Sequence, residues 1–316
     1  MKINLNAACA VLTLVLNGSM SNAMHESSEQ RNPDISSTQT SVAGAWRAAI
    51  DDELAAYERA VLGVSFKDVD RWRISVPCAC ADFDELLPHV ETPIIAQLKQ
   101  WGYAVPQLCM DSDTNESVRL ETIMHPSILR TRVLVNKHYY TWPVLQQSAA
   151  VAHEMEHQNN NHGVKKVVMG MVSDNDCDIM HRYMVAQEKQ ADIYACIAMG
   201  SQGCEALRLS LLYALKNALE LGIVKNNNKT RYSKFGHSLA RIVGALHKNS
   251  GMPLHRASKN KTVPLKDVEQ LVDRDPRFKE EQLSHPSMYA RNKYLKNLTA
   301  ALKKQELGQN YCDNQQ

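Results

Sequence analysis

The residues with the greatest potential for chemistry lie in one short stretch, AHEMEHQNNNH, at positions 152–162. It contains His153 and His157, four positions apart, with Glu154 and Glu156 between them. On a helix, residues four apart project from the same face, about 40° from each other. Two imidazoles in that arrangement can bind a single zinc ion, with nitrogen–metal bonds of about 2.0–2.1 Å. The spacing therefore predicts a metal site with the two histidines as ligands.

The stretch offers two glutamates for the acid–base chemistry of such a site, and helical geometry does not choose between them. Glu154 and Glu156 each lie about 80° from the direction midway between the histidines, on opposite sides. The zinc metallopeptidase motif HExxH places the general base directly after its first histidine. That order favours Glu154 as the base that takes a proton from water acidified by the metal. Glu156 is then a polar or structural neighbour.

The third ligand of such a site must come from elsewhere in the chain. His162 would lie about 140° from His157 if the helix continued, which argues against it as a ligand. Downstream, the stretch QEKQADIYA places Glu188 and Asp192 one helical turn apart. Alone, these carboxylates are typical of a solvated helix face, but beside the HExxH pattern Glu188 is the predicted third ligand. The resulting site leaves a fourth position open, as catalytic zinc sites do, and Asp192 would fix the tautomer of a ligand histidine.

Two helices must position these residues, and the surrounding pattern predicts both. Pro143 opens the helix that carries the histidines, and a capping pattern at 173–176 starts a long helix that Gly200 terminates. An alternating strand at 129–135, with arginines on one face, is predicted to be half-exposed at a sheet edge. The predicted fold class is mainly α with a small β-sheet (α+β), with further helices at 42–62, 92–101, 205–221, 236–247, 265–272 and 286–307.

Length and composition are those of an ordinary globular protein. The chain has 316 residues, of which 44% are hydrophobic and 22% charged. Its net charge of +2 gives no basis for expecting nucleic-acid binding. Beyond the N-terminus, the most apolar stretch, 206–224, is interrupted by charged residues, so we expect an amphipathic helix there and no transmembrane span in the mature chain.

The N-terminus has the pattern of a secretory signal. Lys2 precedes an apolar run at 7–16, and the small residues Ser21 and Ala23 predict cleavage after Ala23. The run is shorter than the roughly 20 residues needed to cross a bilayer. We therefore expect an exported protein, either periplasmic or secreted.

Cysteine usage suits an exported protein. The chain has eight cysteines, and the one at position 9 is lost with the signal, which leaves an odd number. At least one thiol is then free or bonded to another chain. In an oxidising compartment, Cys196 and Cys204 are candidates for a disulfide across the helix break near Gly200. Cys109 is a candidate to pair with a cysteine of the CAC motif at 78–80.

Three stretches resemble the gluzincin metallopeptidases of the HtpX, Oma and CAAX-prenyl-protease type. AHEMEHQNNNH is similar to their active-site helix, which also carries a further histidine at the place of His162. EKQADIYA is similar to their Glu-x-x-x-Asp helix, and SHPSMYAR at 284–291 resembles their His-Pro element followed by an arginine. The three motifs come in the family's order and lie between residues 149 and 291.

The resemblance implies a zincin/gluzincin-like metallopeptidase domain with Zn2+ as its cofactor. For His285 and Arg291, it implies a place near the cleft, where they polarise the substrate carbonyl or gate the site. The sequence departs from the family's pattern in two ways. No membrane-spanning helix follows the signal, and SILRTRVLVNKHYYTW stands where the family usually has a glycine-rich segment before the active-site helix. Because of the first departure, the resemblance is to the soluble, exported branch of the family. The implied residues are His153, His157 and Glu188 for the metal, Glu154, His285 and Arg291 for catalysis, and Asp192 for support of the ligands.

These observations predict a zinc-dependent endopeptidase that cleaves exported or envelope polypeptides. The edge strand near Val133 would align an extended peptide. Two alternatives stay open: a zinc-bound envelope assembly factor or chaperone-like protein whose cleft is normally blocked, with His285 as a fourth ligand, and a secreted effector that acts on a host. No nucleic-acid partner is expected, and peripheral association with an envelope stays open.

The predicted organisation along the chain has five parts. They are a signal peptide (1–23), a flexible leader (24–40), an N-terminal helical region of unknown role (41–120), a zinc metallopeptidase domain (121–307) and a C-terminal tail (308–316).

Overall fold

A computed structural model of the chain describes residues 42–69, 91–103, 108–110, 118–125, 128–173, 176–224, 264–279 and 285–313. The predicted signal peptide and leader, the helix predicted at 236–247 and the CAC motif lie outside these ranges. Within them, no helix combines the length and the apolar character needed to cross a membrane.

Helices dominate the described residues, which confirms the mainly α class. Pro143 stands directly before the helix that carries the histidines, where its missing N–H leaves no donor unsatisfied. The long helix that begins at Cys177 is capped by Asp176, whose carboxylate accepts hydrogen bonds from two backbone N–H groups of the first turn at 3.0 and 3.2 Å. The helices are α1 (Val42–Leu62), α2 (Glu91–Gln100), α3 (Val144–Asn159), α4 (His162–Val172), α5 (Cys177–Val224), α6 (Leu265–Arg274) and α7 (Met288–Asp313).

The strands of the described residues form a small sheet of β1 (Leu108–Met110), β2 (Val118–His125) and β3 (Ile128–Val135). β3 lies in the middle, parallel to β1 and antiparallel to β2. The predicted edge position of this strand is therefore wrong. The predicted half exposure of β3 is also wrong at the C-terminal end of the strand, where residues 133–135 are all buried. The reason is that a strand covered on both faces buries the side chains that point to either face. The sheet edge beside α3 belongs to β2.

Helix α3 packs along α5, and this contact brings the predicted ligands His153, His157 and Glu188 together. Ala149 lies one turn before the first histidine of α3, and Ala191 and Ala195 lie on the same side of α5 as Glu188. All three alanines are fully buried. Because their side chains are short, the two helix axes can approach closely at this level.

The backbone of α5 breaks at Gly200, whose φ of 71° and ψ of −174° suit glycine alone. The predicted end of a helix at Gly200 is confirmed, because this non-helical residue separates two helical segments that α5 joins across a kink. Glu306 on α7 accepts hydrogen bonds from the backbone N–H and the hydroxyl of Ser201 at 2.7 and 2.5 Å, and so satisfies a donor that the break leaves free. The predicted disulfide between Cys196 and Cys204 closes across the break.

One hydrophobic cluster extends through the sheet and most of the helices. It includes Ala43 of α1, Val133 of β3, Ala152 of α3 and Leu302 of α7. Helix α1 therefore packs into the same core as the helices that carry the motifs. Strand β2 also crosses the position predicted as a domain boundary, between residues 120 and 121.

Candidate metal centre

Three side chains from two helices converge on one point. His153 and His157 project from α3, and Glu188 projects from α5. The two histidine Nε2 atoms are 3.2 Å apart. The Nε2 atom of His153 lies 3.4 Å from Glu188 Oε2, and that of His157 lies 3.5 Å from the other oxygen, Oε1. Bonds of about 2.1 Å to a tetrahedral ion place neighbouring ligand atoms about 3.4 Å apart. Each of these three distances therefore suits a pair of atoms bound to one zinc ion, and one ligand atom from each side chain lies within 4.8 Å of the other two.

The chemistry of the donor set also fits a metal ion. The Glu188 Oε2 atom is buried and accepts no hydrogen bond within the described residues, which is costly for a carboxylate without compensation. Burial alone would raise the pKa of Glu188, but His285 and His157 hold it well below its usual range. Two imidazole nitrogens and one ionised carboxylate are a donor set that zinc accepts.

Asp192, one turn after Glu188 on α5, orients the first histidine. Its Oδ1 lies 2.9 Å from His153 Nδ1, and because a carboxylate accepts, Nδ1 carries a proton and Nε2 faces the site. Burial opposes the charging of His153, but Asp192 and Glu188 outweigh it and raise its pKa to about 10 when no metal is bound. Asp192 thus lies where it would orient His153 if this histidine binds a metal.

Asp192 is itself held by two residues of α7. Arg291 donates from Nε and Nη2 to the two carboxylate oxygens, both at 2.7 Å, and the Tyr294 hydroxyl donates to Oδ2. Burial works to raise the pKa of Asp192, but Arg291 and His153 bring it below its usual range. The sequence motifs do not include Tyr294. Its spacing of three residues from Arg291, on the same helix face, is a signal that points to it.

His285 and Arg291, the two residues of the C-terminal motif, both lie beside Glu188 but differ in their exposure to solvent. The His285 Nε2 atom lies 3.4 Å from Glu188 Oε1, and its side chain is 30% exposed. Arg291 is buried, and its Nη2 atom lies 3.8 Å from Glu188 Oε2. Two carboxylates, those of Asp192 and Glu188, therefore face the Arg291 guanidinium, whereas His285 borders solvent.

The two glutamates of the HExxH stretch have different partners in the fold. Glu156 is buried and accepts hydrogen bonds from the Tyr103 hydroxyl at 2.8 Å and from the Asn160 side chain at 3.3 Å. Glu154 is partly exposed, and its Oε2 accepts a hydrogen bond from the backbone N–H of Leu120 on β2 at 2.7 Å. Glu156 is thus tied into the core, and Glu154 is the glutamate beside the edge of the sheet.

The chain turns back after α3 and brings His162 onto His157. Asn161 adopts a φ of 54°, in the left-handed region, and this residue ends the helix before His162. The predicted angle of about 140° between His157 and His162 assumed a continuous helix, so it does not apply. The Nδ1 atoms of His162 and His157 lie 2.8 Å apart, and His162 Nε2 lies 2.7 Å from Gln190 Oε1. Burial and the neighbouring His157 bring the pKa of His162 well below its usual range. Both nitrogens of His162 thus contact atoms other than the proposed ligand atoms, namely His157 Nδ1 and Gln190 Oε1.

No protein-family model, curated protein or solved structure matches this chain significantly. The functional interpretation therefore depends on the geometry of the site and on the resemblance of its motifs.

Proposed function

We propose that this protein is a zinc-dependent endopeptidase of the gluzincin type that hydrolyses peptide bonds of exported or envelope proteins. The observation that carries the proposal is the group of His153, His157 and Glu188, of which one ligand atom each lies within 4.8 Å of the others. The contacts of 3.2, 3.4 and 3.5 Å between their nitrogen and oxygen atoms suit atoms bound to one tetrahedral ion. The order of the three motifs and their meeting at one place in the fold support membership of the HtpX, Oma and CAAX-prenyl-protease group.

In this proposal, Glu154 is the general base. The two histidines and Glu188 would hold zinc, which when bound would supply a Lewis acid for water and for a carbonyl oxygen. Because the Leu120 N–H engages Oε2 of Glu154, we assign to Oε1 the proton transfers, first from the attacking water and then to the leaving amide nitrogen. The same N–H keeps the carboxylate from rotating away during these transfers.

The edge of β2 is suited to hold an extended substrate. Leu120 pairs with Val133 of β3, but its N–H donates to Glu154, away from β3. Alternate residues of a strand direct their backbone groups to the same side, so Val118 and Thr122 present theirs at this edge too. A polypeptide added as a further strand would lie with its scissile bond beside Glu154. β2 thus replaces the strand near Val133 as the proposed substrate edge.

The proposed compartment is an oxidising one outside the cytoplasm. The disulfide between Cys196 and Cys204 is typical of exported proteins. The N-terminal signal pattern agrees with it. Polypeptides of the periplasm or of the exterior are then the proposed substrates.

One contact favours a second candidate function, a zinc-bound envelope assembly factor or chaperone-like protein whose site is normally blocked. His285 Nε2 lies 3.4 Å from Glu188 Oε1, a separation that also equals the edge of a tetrahedral site of about 3.4 Å. A histidine in the fourth position would occupy the place that a reacting water needs. The protein would then hold zinc without cleaving polypeptides.

The experiment that tests the proposal is zinc quantification with digestion of an unfolded polypeptide, on wild type and Glu154→Gln in parallel. Glutamine can still accept from the Leu120 N–H but cannot take a proton, so we expect full zinc content and a loss of cleavage of about 100-fold or more. Glu156→Gln is the matched control, because its amide oxygen can still accept from Tyr103, and it should keep both zinc and cleavage. Equal cleavage by wild type and Glu154→Gln would refute the proposal.

The variant His285→Ala separates the two candidate functions. A wild type that carries zinc but cleaves nothing, together with an active His285→Ala, would support the blocked-site protein. An active wild type supports the peptidase.

A further inference from the structure

The hydrogen bond between His162 and His157 can run in either of two directions. Their Nδ1 atoms lie 2.8 Å apart, so one nitrogen donates a proton and the other accepts it. If His157 donates, its Nε2 has a free lone pair that can bind a metal. If His157 accepts, its Nε2 carries the proton and cannot bind. The direction of this one hydrogen bond therefore decides whether His157 is a ligand.

The second nitrogen of His162 determines that direction. His162 Nε2 lies 2.7 Å from Gln190 Oε1, a carbonyl oxygen that can only accept. Nε2 therefore carries the proton of a neutral His162, and its Nδ1 is left to accept from the Nδ1–H of His157. His162 and Gln190 are 3% and 5% exposed, so water does not compete for these contacts.

The orientation of the Gln190 amide is in turn determined by Asp51 on α1. Gln190 Nε2 donates to Asp51 Oδ1 at 2.6 Å, and an ionised carboxylate only accepts. If the Gln190 amide were flipped, its oxygen would face the Asp51 carboxylate, and two acceptors would repel each other. Its N–H groups would face the N–H of His162, and two donors would repel each other. The Tyr194 hydroxyl lies 2.6 Å from both Asp51 oxygens and holds the carboxylate in place.

We propose that Asp51, Gln190 and His162 form a hydrogen-bonded relay that holds His157 in the tautomer whose Nε2 can bind a metal. The relay rests on the proposed metal site but is independent of peptidase activity. It is the counterpart, on the other side of the site, of the contact through which Asp192 orients the first ligand. It also gives α1, which lies in the N-terminal region of unknown role, a positioning function at the metal centre.

The relay is tested first in the metal-free wild-type protein, without any substitution. Long-range nitrogen–proton NMR correlations of protein with nitrogen-labelled histidine distinguish the Nδ1–H tautomer from the Nε2–H tautomer. We expect Nδ1–H for His157 and Nε2–H for His162, with the signals assigned from the variants His157→Gln and His162→Gln. The opposite tautomer of His157 would overturn the relay, whether or not the protein is a peptidase.

Zinc affinity, measured by competition with a chromophoric chelator, is the second readout. Gln190→Leu removes the acceptor for His162, and we expect the affinity to fall about 10–100-fold, as for other lost supports of a ligand histidine. Gln187→Leu is the matched control. This buried glutamine of the same helix donates to the backbone carbonyl of His162 at 3.2 Å, so its loss touches the same residue but not the tautomer of its ring. Its zinc affinity should match that of the wild type.

Two variants at Asp51 extend the test to the far end of the relay. Asp51→Asn keeps an oxygen that can accept from Gln190, so its loss of affinity should be smaller than that of Asp51→Ala. Equal losses in Gln187→Leu and Gln190→Leu, or unchanged affinity in Gln190→Leu, would overturn the relay. Zinc binding in the expected tautomers without cleavage would support the relay and contradict the proposed peptidase.

Discussion

At the scale of single residues, the site depends on how its buried charges are paired. Arg291 places two donors on the two oxygens of Asp192, and Asp192 also accepts from Tyr294 and His153. Asp192 and Arg291 are both buried, and a buried charge is tolerated only with its partner. The carboxylate that orients His153, a proposed metal ligand, therefore also contributes to the stability of the fold.

The substitution Asp192→Ala tests this pairing. It leaves the Arg291 guanidinium buried without its main partner, so we expect the free energy of unfolding to fall by about 3–5 kcal/mol. The measurement is urea-induced unfolding of metal-free protein, which separates folding from zinc binding. The double variant Asp192→Ala/Arg291→Met should be more stable than Asp192→Ala, because it removes the unpaired charge. A double variant that loses the sum of the two single effects would contradict the pairing.

At the scale of secondary-structure elements, the site lies where parts distant in the chain meet. Helix α3 carries the histidines and Glu154, α5 carries Glu188, and α7 supports α5 from behind. Strand β2 contributes the backbone N–H of Leu120. A main-chain donor of this kind depends on the position of the strand and not on the identity of the residue.

Leu120→Pro tests the contact between β2 and Glu154. Proline lacks the N–H and is tolerated at a strand edge where no ladder bond is lost, so the sheet should persist. Cleavage is expected to fall about 10–100-fold, which corresponds to the loss of a hydrogen bond to a charged group, with zinc content unchanged. Leu120→Ala keeps the N–H and is the control. Equal cleavage rates in the two variants would show that the N–H plays no part.

Gly200→Ala tests the break in α5. Its φ of 71° is unfavourable for alanine, and an added Cβ would lie 2.9 Å from Glu306 Oε1. We expect the free energy of unfolding to fall by about 1–3 kcal/mol. At Gly308 in α7, an added Cβ meets nothing within 4 Å, so Gly308→Ala should be neutral or stabilising by up to about 1 kcal/mol. Urea unfolding of both variants checks the contrast, and similar stabilities would contradict it.

At the scale of the whole molecule, the candidate metal centre is built on the hydrophobic core. The helices that carry the proposed ligands share one cluster with α1, the sheet and α7. Metal bound between α3 and α5 would therefore stabilise the folded state as a whole rather than one segment.

Zinc removal is expected to lower the unfolding midpoint in a single transition. At a free zinc concentration 100 times Kd, the free energy of unfolding should rise by about 2.7 kcal/mol over the metal-free protein. Thermal unfolding in a chelator and in a series of zinc buffers measures this linkage. The variant His157→Gln should lose most of the zinc dependence, and a wild type that shows none would argue against the metal site.

Much of the candidate site was predictable because its motifs are local. The spacing of His153 and His157, or of Glu188 and Asp192, specifies a shared face within one helix. The break at Gly200 likewise follows from one residue. The position of β3 was not predictable, because an alternating pattern reports the burial of its faces and not how many strands lie beside it.

The sequence by itself determined which side chains share a helix face and where helices begin and break, because helical periodicity is a property of a few consecutive residues. Only the tertiary structure decided that Glu154 meets the edge of β2 while Glu156 is tied to Tyr103 in the core. It also decided that His162 turns back onto His157 and that Asp51 contributes from α1. These contacts join elements that are distant in the chain, and no local pattern specifies which elements pack against each other.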